Sequence, residues 1–217
     1  ARFTRYIRAM EPGLVGRAVQ GLGFGGVHPV VDGLNRNGYA VALIDARGSG
    51  ASGGTREAEI GPEEVTDMGE VADWLSRQSW SNGRVGSFGV SYVGTTAELL
   101  TASNHPSVKA VVPLFSDFDG YTDLVRPGGV STAGFSSQWN GANVYRDKGD
   151  VCMGEGGIKC FVRKLWRKGI KPVDSDRNGE KLAAILQSRS NYALSTPIDE
   201  MIYVDDPIAN QGLQARD

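Results

Sequence analysis

Histidine is nearly absent from this chain: 217 residues hold two, His28 and His105. A histidine base drawn from these residues would have to be one of these two. Cysteine is as sparse, with Cys152 and Cys160 on either side of a glycine-rich loop. They allow one local disulfide in an exported protein and do not require it. No apolar run approaches the roughly 20 residues that cross a bilayer. The chain opens on Ala1 with no charged-then-apolar leader, which leaves cytoplasmic and exported locations both open. A formal net charge of −2 provides no field for holding nucleic acid. The one basic cluster, Arg163-Lys164-Leu165-Trp166-Arg167-Lys168 with Lys171, is short and mixed with apolar residues, so it reads as a solvated helix face rather than an anion site.

What remains is the mix of a globular protein, 40 % hydrophobic and 22 % charged, long enough for one domain or a domain with an insertion. Its most informative stretch runs from Arg84 to Leu100. The apolar strand Val85-Gly86-Ser87-Phe88 leads into Gly89-Val90-Ser91-Tyr92-Val93-Gly94, and a helix follows at once. A serine on a sharp strand-to-helix turn stands above the carboxyl edge of a sheet, and the turn needs small residues on either side, here Gly89 and Gly94. The first amides of the new helix are suited to negative charge that develops beside Ser91. The competing reading is that Ser91 simply caps the helix.

In chain order, Ala1-Arg2-Phe3-Thr4-Arg5-Tyr6-Ile7-Arg8 reads as the end of a strand. Glycines at 13, 16, 21, 23, 25 and 26 then predict a loop, followed by a short helix over 29–35. Val41-Ala42-Leu43-Ile44 has the continuous apolar pattern of a parallel strand covered on both faces. After it, Gly48, Gly50 and Gly53 match G-x-G-x-x-G, but the residues from Thr55 to Pro62 lack the apolar face of the helix that a dinucleotide site requires. A turn is expected there, with Asp45 and Arg47 free to pair or to brace neighbouring loops. Pro62, Glu63 and Glu64 open a helix with Val65, Met68, Ala72 and Leu75 on one face, ending near Trp80. Helix over 95–102 and strand over 108–115 follow Ser91. Strand and helix alternate three times, which predicts a doubly wound α/β sheet with its sites at the carboxyl ends of the strands.

Taken together, Thr4-Arg5-Tyr6, the run Asp45-Ala46-Arg47-Gly48-Ser49-Gly50-Ala51-Ser52-Gly53-Gly54, and Trp74-Leu75-Ser76-Arg77-Gln78-Ser79-Trp80-Ser81-Asn82-Gly83 leading to Gly89-Val90-Ser91-Tyr92-Val93-Gly94 resemble the CocE/NonD hydrolases. These group with the X-Pro dipeptidyl-peptidases (peptidase S15) among the α/β-hydrolases. Val93 departs from the general G-x-S-x-G pattern but agrees with the G-x-S-Y-x-G of this family. The resemblance implies that Ser91 is the nucleophile, that the N–H of Tyr92 is one oxyanion donor, and that the hydroxyl of Tyr6 is the other. A core tyrosine is the alternative for Tyr6.

The acid and the base of the triad should follow the nucleophile in the chain. His105 enters its strand at the edge opposite Ser91, and His28 precedes the serine and matches no triad position. Asp117 and Asp119 stand where some hydrolases keep the acid, although the resembled family takes it from a later strand. From about residue 121 the chain resembles the helical cap of the family, with an amphipathic helix over 181–189 and another starting at Thr196-Pro197-Ile198. Asp174-Ser175-Asp176-Arg177-Asn178-Gly179 imitates the front of an EF-hand loop, but Ile185 falls where the bidentate acid belongs, so helix capping is expected instead of calcium. The resulting expectation is the N-terminal half of an α/β-hydrolase core over 1–120 and a partial cap over 121–217, needing no cofactor. It would act on an ester, amide or X-Pro peptide, with histidine and acid supplied by the remainder of a longer enzyme or by a partner chain. A catalytically incomplete binding or assembly module is the alternative.

Overall fold

The computed structural model describes residues 1–6, 8–21, 29–55, 60–189 and 202–203. In chain order the elements are β1 (Arg2–Thr4), β2 (Met10–Pro12), α1 (Leu14–Gly21), α2 (Pro29–Arg36), β3 (Leu43–Asp45), α3 (Pro62–Ser76), β4 (Val85–Val90), α4 (Tyr92–Leu99), β5 (Val108–Leu114), α5 (Ala133–Asp147), α6 (Gly157–Trp166), β6 (Arg167–Ile170) and α7 (Glu180–Ser188). They gather into two compact units, one of Ala1–Thr4, Thr55–Gly141 and Ala193–Asp217, the other of Arg5–Gly54 and Ala142–Tyr192. His28 and the helix expected from Thr196 fall outside the described residues.

The first unit holds a parallel pair, β4 beside β5, in register from Val85 opposite Val108 to Val90 opposite Leu114. The crossover between them is α4, continued by a 3-10 turn over Leu100–Ser103. Almost every residue of α4 is buried, because its sequence is apolar or small on all sides and its two threonines bond inward. Thr96 Oγ donates to the Phe3 carbonyl at 2.9 Å, which ties β1 to this helix. On β4 and β5 one face is covered, while Val90, Val112 and Leu114 on the other are more than half exposed. The expected cover on both sides is thus absent among the described residues, since α4 packs on one face only. In α3 the predicted face is the buried one, Val65, Met68, Ala72 and Leu75, with Glu64 buried beside them. This helix stops at Ser76 rather than near Trp80. Arg77 and Gln78 already bond back to Trp74 and Leu75 in turn geometry.

In the second unit β2 pairs antiparallel with β6, Met10 opposite Ile170. Here the sequence expectations need two corrections. The glycines at 13 and 16, read as loop residues, flank or lie within α1. A Cβ at Gly13 would stand 2.3 Å from the Leu165 carbonyl oxygen and one at Gly16 2.5 Å from that of Trp166. They serve close backbone approach, with the Gly13 amide donating to the Trp166 carbonyl at 2.8 Å. The basic cluster is likewise not one helix face, because the chain turns extended at Arg167 and enters β6 to pair with β2. Cys152 and Cys160 are joined in a disulfide at the start of α6. Asp176 caps α7, accepting from the amides of Lys181 at 3.2 Å and Leu182 at 2.9 Å, which is what the acidic loop before it does.

The glycine run after β3 folds around a carboxylate of its own chain. Asp45 accepts from the amides of Arg8 at 2.5 Å and Ala51 at 3.4 Å. A Cβ at Gly50 would collide with that carboxylate at 2.2 Å, and burial pushes the Asp45 pKa up. A loop turned on an acid is poorly suited to cradle a phosphate. Arg189, fully buried, donates to the carbonyls of Gly50 at 3.0 Å, Ser52, and Asp147 at 3.3 Å. Arg5 donates to the Asp147 carboxylate at 2.6 Å, with both side chains buried. Truncating one member of such a pair strips a buried charge of its ion-pair partner, so Asp147→Ala is expected to cost about 3–5 kcal/mol. Urea unfolding measures it, and a loss under about 1 kcal/mol would show the pair to be dispensable.

Candidate active site

Ser91 sits between the last residue of β4 and the first of α4, with φ 59° and ψ −134°. A non-glycine residue in that region is strained, and strain of this kind persists only where the surroundings enforce it. The surroundings are visible. The Ser91 amide donates to the Leu114 carbonyl on β5 at 3.0 Å. Its own carbonyl accepts from the amides of Gly94 at 2.6 Å and Thr95 at 2.9 Å, closing the first turn of α4. Gly89 and Gly94 make the tight geometry possible. A Cβ at Gly89 would lie 2.2 Å from the Val93 carbonyl oxygen, and one at Gly94 2.4 Å from that of Leu114.

The hydroxyl of Ser91 plays no part in this framework. Ser91 is exposed, and it makes no side-chain capping bond to α4. A serine selected as an N-cap spends its oxygen on the amides two or three residues on. This one leaves its oxygen at the carboxyl edge of the strand pair, beside the positive end of a helix dipole. The capping reading therefore fails at this position.

Side-chain contacts of Thr95, Tyr92, Glu64 and Trp139 that sequence reasoning did not anticipate hold the turn. Thr95, buried, accepts from the Asp117 amide at 3.2 Å and approaches the Asp117 carboxylate at 3.4 Å. Tyr92, only 5 % exposed, donates its phenol to Glu64 Oε2 at 3.1 Å. Glu64 is 2 % exposed and also accepts from the Ile60 amide at 3.3 Å through Oε1. Trp139 stands against the Tyr92 ring, centroids 6.3 Å apart and planes inclined by 37°. An i, i+2 or i, i+3 spacing would have pointed to such partners; 28 residues between Glu64 and Tyr92 give no such signal.

Among the other candidates, His105 lies before β5, its Nδ1 bonded to Ser107 Oγ at 2.7 Å and its Nε2 3.6 Å from Asp73. In a parallel pair the residue before one strand and the residue after its neighbour stand at opposite ends. With about 3.3 Å per residue over strands of this length, His105 is on the order of 20 Å from Ser91. Asp119 caps the turn over Gly120–Val125 through the amides of Tyr121 at 2.8 Å and Thr122 at 3.0 Å. Tyr6 belongs to the second unit, where it is 38 % exposed and its ring lies 5.7 Å from the Arg146 guanidinium. No cluster of metal-ligating side chains occurs among the described residues. No helix among them is long and apolar enough to cross a membrane.

A strained, exposed serine between a parallel strand and a helix, flanked by glycines that nothing larger could replace, is the backbone arrangement of a nucleophile elbow. The chain belongs to the X-Pro dipeptidyl-peptidase (S15) family, whose model matches residues 10–169, with Ser91 inside the match and Tyr6 before it. It is 39 % identical over 175 residues to two proteins named as serine esterases, from Mycobacterium bovis and Mycobacterium tuberculosis, covering 80 % of this chain and 27 % of theirs. It is 31 % identical over 166 residues to the cocaine esterase of a Rhodococcus species, covering 76 % of this chain and 26 % of that one. The crystal structure of a CocE/NonD family hydrolase from Staphylococcus aureus is 33 % identical with a TM-score of 0.45, over 48 % of this chain and 19 % of that one. The chain thus spans about a quarter of the length of the curated relatives it matches.

Proposed function

We propose that the protein is a serine hydrolase that cleaves an ester or amide through an acyl-enzyme on Ser91. The observation that carries this reading is the exposed, strained serine whose hydroxyl does not cap the helix it precedes. Ser91 Oγ attacks the carbonyl of the substrate. The Tyr92 amide, at the start of α4, and the Tyr6 hydroxyl stabilise the oxyanion, and water then releases the acyl group. Residues 1–120 contribute the nucleophile half of an α/β-hydrolase core and residues 121–217 part of a helical cap. The base and its orienting acid come from outside these 217 residues, in the remainder of a longer protein or a partner chain. Two features support that division: His105 stands at the wrong end of the strand pair, and Val90, Val112 and Leu114 present an apolar face for further layers.

The substrate class is an acyl ester, an α-amino acid ester, an acylase-type amide or an X-Pro peptide. Hydrolysis of p-nitrophenyl esters, aminoacyl esters and X-Pro p-nitroanilides by the whole protein separates them. Measurable turnover of at least one is expected, and inertness toward all of them would overturn the reading. Within it, Tyr6→Phe removes a single oxyanion donor and is expected to lower kcat by about 10²-fold with KM nearly unchanged. A Tyr6→Phe protein with unchanged kcat would return Tyr6 to a packing role.

A further inference from the structure

The buried acid beside the elbow has no role in the chemistry proposed above. Glu64 stands in the first turn of α3, where the helix dipole favours a carboxylate, but it is 2 % exposed. Placing a carboxylate out of water is costly unless its oxygens are engaged. Here both are: Oε1 accepts from the Ile60 amide at 3.3 Å and Oε2 from the Tyr92 phenol at 3.1 Å. An apolar side chain at position 64 would fill the same interior of α3 without that cost, as Val65 and Met68 do on the adjacent turn. What the carboxylate adds is a fixed end point for one particular ring.

That ring belongs to the residue after the nucleophile. Tyr92 is the first residue of α4, so its backbone N–H points out of the helix start beside Ser91. Its backbone is set by the turn, its ring is set against Trp139, and the tip of its side chain is set by Glu64. With both ends of the residue fixed, rotation of the peptide between Ser91 and Tyr92 is restrained, and the amide keeps one direction.

We propose that Glu64 is a positioning residue: by holding the Tyr92 phenol it aims the Tyr92 amide at the place where the oxyanion forms on attack by Ser91. The inference rests on the reading of Ser91 as nucleophile. An oxyanion donor is effective only when aligned before the charge appears, and small misplacements lower rate without weakening binding of the substrate.

The test uses the whole protein with Tyr92→Phe, Glu64→Gln, Glu64→Ala and the Tyr92→Phe, Glu64→Ala double variant. The readouts are kcat and KM on a p-nitrophenyl ester, affinity for phenylboronic acid as a tetrahedral adduct, and thermal unfolding. Tyr92→Phe and Glu64→Ala are each expected to lower kcat by about tenfold, with KM within about twofold. Phenylboronic acid affinity should fall by the same factor, and the double variant should be no worse than the poorer single. Glu64→Gln, which keeps an accepting oxygen, should recover most of kcat. Unchanged kcat in Tyr92→Phe or Glu64→Ala, losses that multiply in the double, or lower melting with full kcat would overturn the proposal. If Glu64→Ala does not fold, Tyr92→Phe decides it: a loss of about tenfold in kcat with KM within about twofold supports the role, and full kcat overturns it. Full activity in Ser91→Ala would instead remove the nucleophile reading, and the positioning role with it.

Discussion

Replacing Ser91 by alanine in the whole protein is expected to lower kcat by about five to six orders of magnitude while leaving the folded state nearly as stable as before. The size follows from the role: a covalent pathway that loses its nucleophile retains only what binding and the oxyanion donors do alone. The small effect on stability follows from the structure. The Ser91 side chain is exposed, its hydroxyl caps nothing, and alanine meets the same strain at φ 59° as serine does. Reaction with a fluorophosphonate probe should disappear in parallel. The combination is the diagnostic point. A serine kept for folding would show the reverse, a fall in the unfolding midpoint with activity retained per folded molecule.

Adding a single methyl group at Gly94 or Gly89 is expected to do the opposite, destroying the fold around the turn. The new Cβ at Gly94 would lie 2.4 Å from the Leu114 carbonyl oxygen, and that at Gly89 2.2 Å from the Val93 carbonyl oxygen. Both obstacles are backbone, so no rotamer change relieves them; β4, α4 and β5 would have to separate. Gly94→Ala or Gly89→Ala should therefore cost more than about 3 kcal/mol, or yield no soluble protein. Gly134→Ala is the matched control. Gly134 lies within α5 with nothing within 4 Å of its Cβ position, so the substitution should be neutral or stabilise by about 0.5–1 kcal/mol. Urea unfolding of the three variants checks the contrast. A Gly94→Ala protein as stable as Gly134→Ala would mean that α4 does not pack on β5 as described.

The elbow was legible because its signal is local. A strand, two glycines, a serine and a helix lie within some fifteen consecutive residues, and each contributes through backbone geometry that residue type alone predicts. The face of α3 was legible for the same reason, since Val65, Met68, Ala72 and Leu75 follow the helical period. Gly13 and Gly16 were misread because a glycine needed for close approach looks, in sequence, like one needed for a turn; only the carbonyls of Leu165 and Trp166 distinguish them. Arg167 and Lys168 continue the pattern of α6 but leave it to pair with β2, a partner some 150 residues earlier. The supports of the site were hidden in the same way. Glu64 reads in sequence only as a first-turn acid favoured by the helix dipole, and its bond to Tyr92 spans 28 residues; Arg5 meets Asp147 across 142 residues. The assignment of Tyr6 rests on resemblance and not on any local pattern.

The central claim is that the Ser91 Oγ is the atom that forms the acyl-enzyme. Mass mapping of the whole protein after brief reaction with a fluorophosphonate tests it most directly. The adduct should sit on Ser91, with one equivalent bound per molecule, and should be absent from the Ser91→Ala variant. An adduct on any other residue, or equal labelling of the two proteins, would contradict the account.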